Sequence, residues 1–275
     1  MNPIEILHTI ATEFPHALFG SIVAGLLIGY LGILVVARRI VFVGAALTQG
    51  AVAGMAFAHL PFVDADPGLG ALGFTFFLVL WFSWMLRSRT LPQDSVLGAA
   101  FVVAIALRIL MIQLSPVGEA AEIETLLKGD LLFVTASQFQ FLLAVAVVLL
   151  AVHVVLRKEF TFVAFDREMA SAQGYRTGLW EIAFYATLGV AVPVAVRIVG
   201  DVFVFGFLVL PALTAMMLAR TVRAVVVIAL VIAGVAPVLG FWAAFLFDLP
   251  AGPSIVATLF LFFLAAWVRH VARGS

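Results

Sequence analysis

Long apolar runs separated by short polar breaks dominate the chain. A transmembrane helix needs roughly 20 apolar residues to cross the ~30 Å hydrocarbon layer of a bilayer, and the runs have about that length. They predict an all-α polytopic membrane protein with eight to nine transmembrane helices. The predicted spans are 16–37, 40–60, 68–86, 96–114, 134–156, 178–197, 202–218, 224–246 and 253–268. The weakest division, around RIVGD (197–201), decides between eight and nine.

Composition supports this prediction. Of the 275 residues, 65% are hydrophobic and 11% are charged, whereas a soluble domain carries about 25% charged residues. Too few charges remain to cover a water-soluble surface, so we expect one transmembrane domain over residues 1–275. The net charge is zero and cysteine is absent, which gives no indication of nucleic-acid binding and excludes disulfides and thiolate metal sites.

Basic residues predict the orientation, because Lys and Arg stay preferentially on the cytoplasmic side. All of the 15 basic residues except Arg108, Lys128 and Arg197 fall on one side of the predicted bundle. With nine spans, this pattern places the amino terminus outside and the carboxyl terminus in the cytoplasm.

The chain lacks the common motifs for nucleotide hydrolysis and proteolysis. Lys128 and Lys158 are its two lysines, and neither stands in a GxxxxGK[ST] phosphate-binding loop. HExxH and GxSxG motifs are also missing. If the protein uses ATP, a separate chain must hydrolyse it.

Four ionisable residues, Arg108, Glu181, Arg197 and Asp201, lie within or beside predicted spans, where a charge is costly and usually faces a partner or a cavity. Glu181 opens the sixth span near the predicted cytoplasmic side. Arg108 lies about one and a half helical turns from the end of its span, close enough to snorkel to the outer surface. Arg197 and Asp201 are four residues apart and could form an ion pair if they share a helix. No carboxylate stands near a predicted midplane, which disfavours a proton- or sodium-driven carrier.

Histidines are the other candidate ligands. His8, His16, His153 and His270 lie at predicted helix ends or outside the spans, and His59 lies near the outer end of the second span. We expect each to be an interfacial side chain and not a metal ligand.

Pairs of glycines four residues apart occur in the first two spans, at Gly25 and Gly29 and at Gly50 and Gly54. Small residues at this spacing let two helices approach closely in lipid. The pairs predict helix packing, with no function implied.

Several segments carry recognisable patterns in a fixed order. They are RRIVFVGAALTQGAVAGMAFA (38–58), QDSVLGAAF (93–101), ETLLKGDLLFVT (124–135), VAFDREMASAQGYR (163–176), VGDVFVFGFLVLPALTAMMLAR (199–220) and DLPAGPSIV (248–256). Together, over about 220 residues, they resemble the permease subunits of bacterial ABC importers for zinc, manganese and iron.

The resemblance implies a coupling role for the polar segment 157–177. In that family a Phe-Asp-x-Glu stretch forms a short coupling helix that docks on the ATPase, and the matching residues here are Phe165, Asp166, Glu168 and Gly174. The segment is also the longest polar stretch on the predicted cytoplasmic side. The alternative is a solvated connector without function.

The resemblance also implies the assembly. Two copies of the permease would pair in a bacterial inner membrane, each resting on an ATPase subunit that uses ATP and Mg²⁺. An extracytoplasmic binding protein would deliver the substrate. The permease itself would bind no cofactor and would not be an enzyme.

The second span departs from the family pattern Gly-Asp-x-Leu-Ser-His, whose Asp and His are thought to line the metal path. Here Ala45 replaces the carboxylate and Gln49 replaces the imidazole. Ala45, Thr48, Gln49 and Val52 share one helix face and are candidates to line the path. Because zinc and manganese prefer imidazole and carboxylate ligands, no metal ligand is assigned.

Three functions remain open. The leading one is an ABC importer permease for a divalent metal ion or a metal complex. The second keeps the ABC architecture but moves a non-metal, larger or chelated solute, as Ala45 and Gln49 indicate. The third is a membrane carrier or scaffold that does not use ATP.

Overall fold

The computed structural model describes residues 10–63, 65–85, 93–115 and 131–274. The side chains of residues 93, 94, 165, 167, 273 and 274 lie outside this description. So do Arg87, Arg89, Lys128, His8 and the rest of residues 116–130, together with the predictions that fall on them.

Helices account for nearly all of the described secondary structure. In chain order they are α1 (Pro15–Ala37), α2 (Val41–Ala58), α3 (Pro67–Met85), α4 (Gln93–Leu114), α5 (Ala136–Val155), α6 (Arg157–Phe165), α7 (Arg167–Ala172), α8 (Thr177–Val199), α9 (Asp201–Leu218), α10 (Val222–Phe247) and α11 (Ala251–Gly274), with a short 3₁₀ helix at Leu131–Phe133. Nine of them, α1–α5 and α8–α11, are long and apolar enough to cross a membrane within the described residues. The prediction of eight to nine spans is confirmed, and the described residues contain nine.

Gly200 separates α8 from α9. Its φ of +88° lies in a region that L side chains rarely adopt but glycine adopts freely. The chain can therefore end α8 at Val199 and begin α9 at Asp201 with one residue between them. Because the break falls between Arg197 and Asp201, the two residues do not share a helix, and the condition for their predicted i, i+4 pairing is not met.

The described parts of the chain divide into two compact units. The first is built from residues 1–36, 126–146 and 197–275, and the second from residues 37–125 and 147–196. The prediction of a single domain stays a prediction.

In the first unit, small residues bring α1 against α9 and α10. A methyl group added at Gly25 would lie 2.6 Å from a ring carbon of Phe207 and 2.9 Å from the carbonyl oxygen of Ala233. A methyl group at Gly29 would lie 3.0 Å from the Ala233 side chain. The predicted packing role of this glycine pair is confirmed.

In the second unit, α2 lies against α3 and α4. Gly54 meets Gly70 backbone to backbone, and Gly50 lies against Leu78, so α2 and α3 run antiparallel. The Ser115 hydroxyl, just beyond α4, lies 3.2 Å from the Ala56 carbonyl oxygen. The Thr75 hydroxyl of α3 lies 3.0 Å from the Gly189 carbonyl oxygen of α8, which ties these helices together.

Candidate functional site: a tethered polar segment and an intramembrane polar pair

The polar segment 157–177 folds into two short helices, α6 and α7, joined at Asp166. The Asp166 carboxylate caps α7 by accepting a hydrogen bond of 2.8 Å from the Met169 backbone N–H, as N-terminal acidic residues commonly do. Asp166 and Glu168 are exposed, and Gly174 has a φ of +86°. The predicted coupling residues therefore lie on an ordered, solvent-facing element, although the Phe165 side chain lies outside the described residues.

Phe160 anchors α6 to the longer helices of the second unit. Its side chain is 2% exposed and stacks on the His153 ring of α5, with centroids 4.4 Å apart and an interplanar angle of 10°. It also meets Trp180 of α8 edge to face at 5.6 Å. Because buried aromatic contacts of this kind stabilise packing beyond the area they bury, α6 is fixed to α5 and α8.

Arg38, in the turn between α1 and α2, completes this anchor. One guanidinium nitrogen, Nη2, donates a hydrogen bond of 3.2 Å to the Phe160 carbonyl oxygen. The guanidinium carbon lies 4.2 Å from the centroid of the Phe184 ring, a cation–π geometry. We call Arg38, His153, Phe160 and Phe184 the Arg38 cluster.

Burial lowers the pKa of Arg38, while Tyr185 and Glu181 act in the opposite direction. An arginine nevertheless stays protonated in proteins. The cluster therefore holds a fixed positive charge against the backbone of α6 at every physiological pH.

His153 corrects a prediction. The sequence places it at a helix end as an interfacial side chain, but it is fully buried. Its Nε2 lies 3.1 Å from the Thr187 hydroxyl, and that hydroxyl donates to the Phe184 carbonyl oxygen at 2.7 Å. Because the hydroxyl proton is used there, His153 Nε2 is the donor. The α6 segment covers this helix end, which the pattern of α5 alone could not indicate.

A hollow of about 520 Å³ lies beside the polar segment. It is open to solvent, and the chain from the end of α7 to the first turns of α8 forms its wall. The lining residues are Gln173, Gly174, Tyr175, Arg176, Leu179, Trp180 and Ala183. This combination of aromatic and basic groups suits contact with another protein.

A second polar feature joins α2 to α4. Arg108 Nη1 donates a hydrogen bond of 2.7 Å to Gln49 Oε1. The contact between Ser115 and Ala56 lies one heptad further along both helices, so α2 and α4 run parallel and in register. The expectation that Arg108 snorkels to the outer surface is corrected: its guanidinium is turned to a neighbouring helix.

The predicted path-lining face of α2 is mostly packed. Ala45, Thr48 and Val52 are at most 3% exposed, whereas Gln49 is half-buried. The Thr48 hydroxyl donates to the Ala45 carbonyl oxygen within the helix, at 2.8 Å. That these four residues line a path stays a prediction.

Metal ligands do not cluster in the part of the chain that the structure describes. There, no group of three or more His, Asp or Glu residues could hold a metal ion. His16 meets Phe139 edge to face at 5.8 Å, and His270 is exposed near the end of α11.

Sequence reasoning found the polar segment but missed what holds it. The sequence uses Arg38 to predict orientation and as the start of the segment 38–58, but it predicts no contact for Arg38 and none between Arg108 and Gln49. The sequence gives one indication of such contacts, the charge of Arg108 inside an apolar span. The charge predicts that Arg108 contacts another polar group, but it does not identify that group.

Within the described residues, nine apolar helices and a tethered, solvent-facing polar segment define a multi-pass membrane protein. The model of the ABC 3 transport family matches residues 12–270. The chain belongs to this family and is a permease subunit of the ABC type.

Two relatives agree with the assignment, and a solved structure shares the fold. The manganese transport system membrane protein MntC of Listeria monocytogenes is 23% identical over 258 residues, 94% of this chain and 91% of the relative. The probable iron transport system membrane protein of Haemophilus influenzae is 26% identical over 235 residues, 84% and 81% of the two chains. A chain of the PsaBC complex from Streptococcus pneumoniae, solved with a Fab, superposes with a TM-score of 0.82 at 23% identity, covering 96% of this chain and 95% of that one.

Proposed function

We propose that this chain is the membrane-spanning subunit of an ATP-driven importer that moves a metal ion or a metal complex across a bacterial inner membrane. The family assignment and the names of the manganese and iron transport relatives support this cargo. The chain has no phosphate-binding loop, so a partner ATPase supplies ATP and Mg²⁺ chemistry. An extracytoplasmic binding protein supplies the cargo, and two permease copies form the path.

One observation carries the mechanism: a short exposed helical segment is held to the spanning helices by a buried charged and aromatic cluster. In the proposed orientation α6, α7 and the carboxyl terminus are cytoplasmic. An ATPase that pushes on α7 moves α6, and the contacts of Phe160 with Arg38, His153 and Trp180 pass that movement to the spanning helices. A rigid, dry contact transmits displacement because packed interiors compress little.

The test replaces Asp166 and Glu168 together by Asn and Gln. Asn still caps a helix, so α7 is preserved while both charges are lost. In the complex reconstituted with its ATPase and binding protein, we expect ATP-driven uptake to fall at least tenfold while ATP hydrolysis continues.

The matched control is Asp248→Asn, which removes one exposed carboxylate from the turn between α10 and α11. Asp248 has a φ of +53°, a conformation that Asn also tolerates. Its uptake should equal that of the unchanged protein. Full coupling in the Asp166→Asn/Glu168→Gln variant contradicts the proposed mechanism.

The residues around Gln49 favour a second class of cargo, a chelated solute. The described residues gather no imidazole and carboxylate ligands into a group, and Gln49 is bonded to a cation.

A further inference from the structure

An apolar groove of about 370 Å³ opens on the surface of the first unit, between α9, α10 and α11. We call it the α9–α11 groove. Thr214 and Arg269 are the two polar residues in its wall. The Thr214 hydroxyl donates a hydrogen bond of 2.7 Å to the Leu210 carbonyl oxygen within its own helix, whereas Arg269 is exposed. Arg269 therefore supplies the polar chemistry of the groove.

The register of the three helices fixes the level of Arg269. Short turns at 219–221 and 248–250 join α9 to α10 and α10 to α11, so α9 and α11 run parallel. Gly206 of α9 is level with Val256 of α11, since a methyl group added at Gly206 would lie 3.1 Å from the Val256 side chain. The same register puts Leu218, the last residue of α9, beside Arg269. The arginine therefore lies at the end of the groove nearest to the turn 219–221.

From Arg269 the groove runs into the apolar part of the spans. Phe262 lines it two helical turns earlier in α11, about 10 Å along the axis. Val231 and Val235 line it from α10, roughly 14 Å and 20 Å from the start of that helix, and they are 58% and 42% exposed. Trp267, next to the charged end, is 50% exposed, as tryptophans at a membrane surface commonly are. The groove thus has its charged end at the membrane surface and its apolar end within the hydrocarbon layer.

The carboxylates of the first unit that the structure describes lie at the opposite end of its helices. Asp201 begins α9, and Asp248 follows the last residue of α10. Glu13 precedes Phe14, whose ring centroid lies 5.6 Å from that of Phe245 near the end of α10. None of these three can neutralise a cation beside the turn 219–221.

Cations gather at the charged end. Arg220 and Arg223 flank the turn and are exposed, as is Arg269. A guanidinium is a planar fork of N–H donors that matches phosphate oxygens. The proposed orientation puts this end at the cytoplasmic leaflet, whose anionic lipids attract basic residues and whose headgroups bind in basic pockets between spanning helices. A free phosphate would leave the apolar length of the groove unfilled, whereas a phospholipid matches both parts.

We propose that the α9–α11 groove binds one anionic phospholipid of the cytoplasmic leaflet. Arg269 holds the phosphate of the headgroup, and an acyl chain lies along Phe262, Val231 and Val235. This site is additional to the importer function and does not depend on the cargo.

The test is native mass spectrometry of the full-length chain, purified in detergent, stripped of lipid and titrated with three probes. Dioleoyl phosphatidylglycerol is anionic, dioleoyl phosphatidylcholine has the same acyl chains without net charge, and glycerol 3-phosphate has the phosphate without chains. We expect one phosphatidylglycerol per chain, bound about fivefold more tightly than phosphatidylcholine, the usual effect of one basic residue on an anionic lipid. Equal binding of the two lipids, or binding of glycerol 3-phosphate as tight as that of phosphatidylglycerol, would overturn the proposal.

Variants identify the site. Arg269→Gln should weaken phosphatidylglycerol binding about fivefold and leave phosphatidylcholine binding unchanged. Arg223→Gln is the matched control, because it removes the same charge from an exposed position at the same end that is not part of the groove wall. It should change neither affinity. Equal losses in the two variants would show that surface charge, and not the groove, attracts the lipid.

A second copy of this chain is the competing occupant. Ala265 is an exposed residue of the groove wall, so Ala265→Leu should narrow the groove and weaken the binding of both lipids. Light scattering of the same samples gives the dimer fraction. If Ala265→Leu lowers that fraction and leaves both lipid affinities unchanged, the groove is a contact between copies. The lipid site is then overturned, and the importer function stands.

Discussion

Arg38 shows how much one side chain can contribute at the residue scale. Its guanidinium donates a hydrogen bond from Nη2 to the backbone of α6 and lies over the face of the Phe184 ring. A hydrogen bond to a charged group contributes roughly 1.5–3 kcal/mol, and a cation–π contact about 0.5–2 kcal/mol. Arg39, the next residue, has the same charge but is exposed.

This contrast gives a prediction with a built-in control. Arg38→Gln should lower ATP-driven uptake about tenfold and increase hydrogen exchange in α6, because α6 loses both contacts. Arg39→Gln removes the same charge from a neighbouring exposed position and should change neither quantity. Uptake assays and exchange mass spectrometry on the complex check this prediction. Equal effects of the two variants would show that net charge, and not the cluster, matters.

At the scale of elements, close backbone contact fixes how α2 packs on α3. Gly54 and Gly70 face each other at the crossing, and a methyl group on Gly54 would come within 2.7 Å of Phe74 Cβ and 2.8 Å of the Gly70 carbonyl carbon. Neither atom belongs to a flexible side-chain end, so the helices must separate to admit it. In lipid, where there is no hydrophobic force between helices, such close packing is a main source of association.

Gly54→Ala should therefore destabilise the chain by about 1–3 kcal/mol, the typical cost of overpacking. Gly73→Ala is the matched control in α3, because an added methyl group there meets nothing within 4 Å. The measurement is the thermal unfolding midpoint of the two purified variants in detergent. A midpoint for Gly54→Ala as high as that for Gly73→Ala would contradict the close crossing.

At the scale of the whole molecule, the decisive property is which side of the membrane each polar segment faces. The basic residues predict that α6 and α7 are cytoplasmic and that the turn between α10 and α11 is outside. The chain contains no cysteine, so a single introduced cysteine can be labelled without background. Ser171 in α7 and Leu249 in that turn are both exposed.

In intact cells, a membrane-impermeant maleimide should label Leu249→Cys and leave Ser171→Cys unlabelled. After permeabilisation it should label both. Labelling of Ser171→Cys from outside would put the polar segment on the wrong side for an ATPase, and the coupling mechanism would fail with it.

Much of the architecture could be predicted from local patterns. The nine apolar helices begin and end within a few residues of the predicted spans, and the glycine pairs of α1 and α2 lie at helix contacts as expected. The two errors concern side chains: His153 is buried beneath α6, and Arg108 turns to Gln49. In each case the partner is distant along the chain, so no local pattern contains it.

The sequence by itself determined the length and membrane character of the helices and limited their number to eight or nine, because each span must satisfy its own backbone hydrogen bonds and apolar surroundings. It also determined the family, through motifs spread along the chain. Only the tertiary structure decided which helix faces meet. Arg38 and Phe160 are 122 residues apart and Gln49 and Arg108 are 59 apart, and their contacts depend on the packing and register of whole helices. Packing therefore joined the polar segment to the spanning helices and placed a cation beside the predicted path.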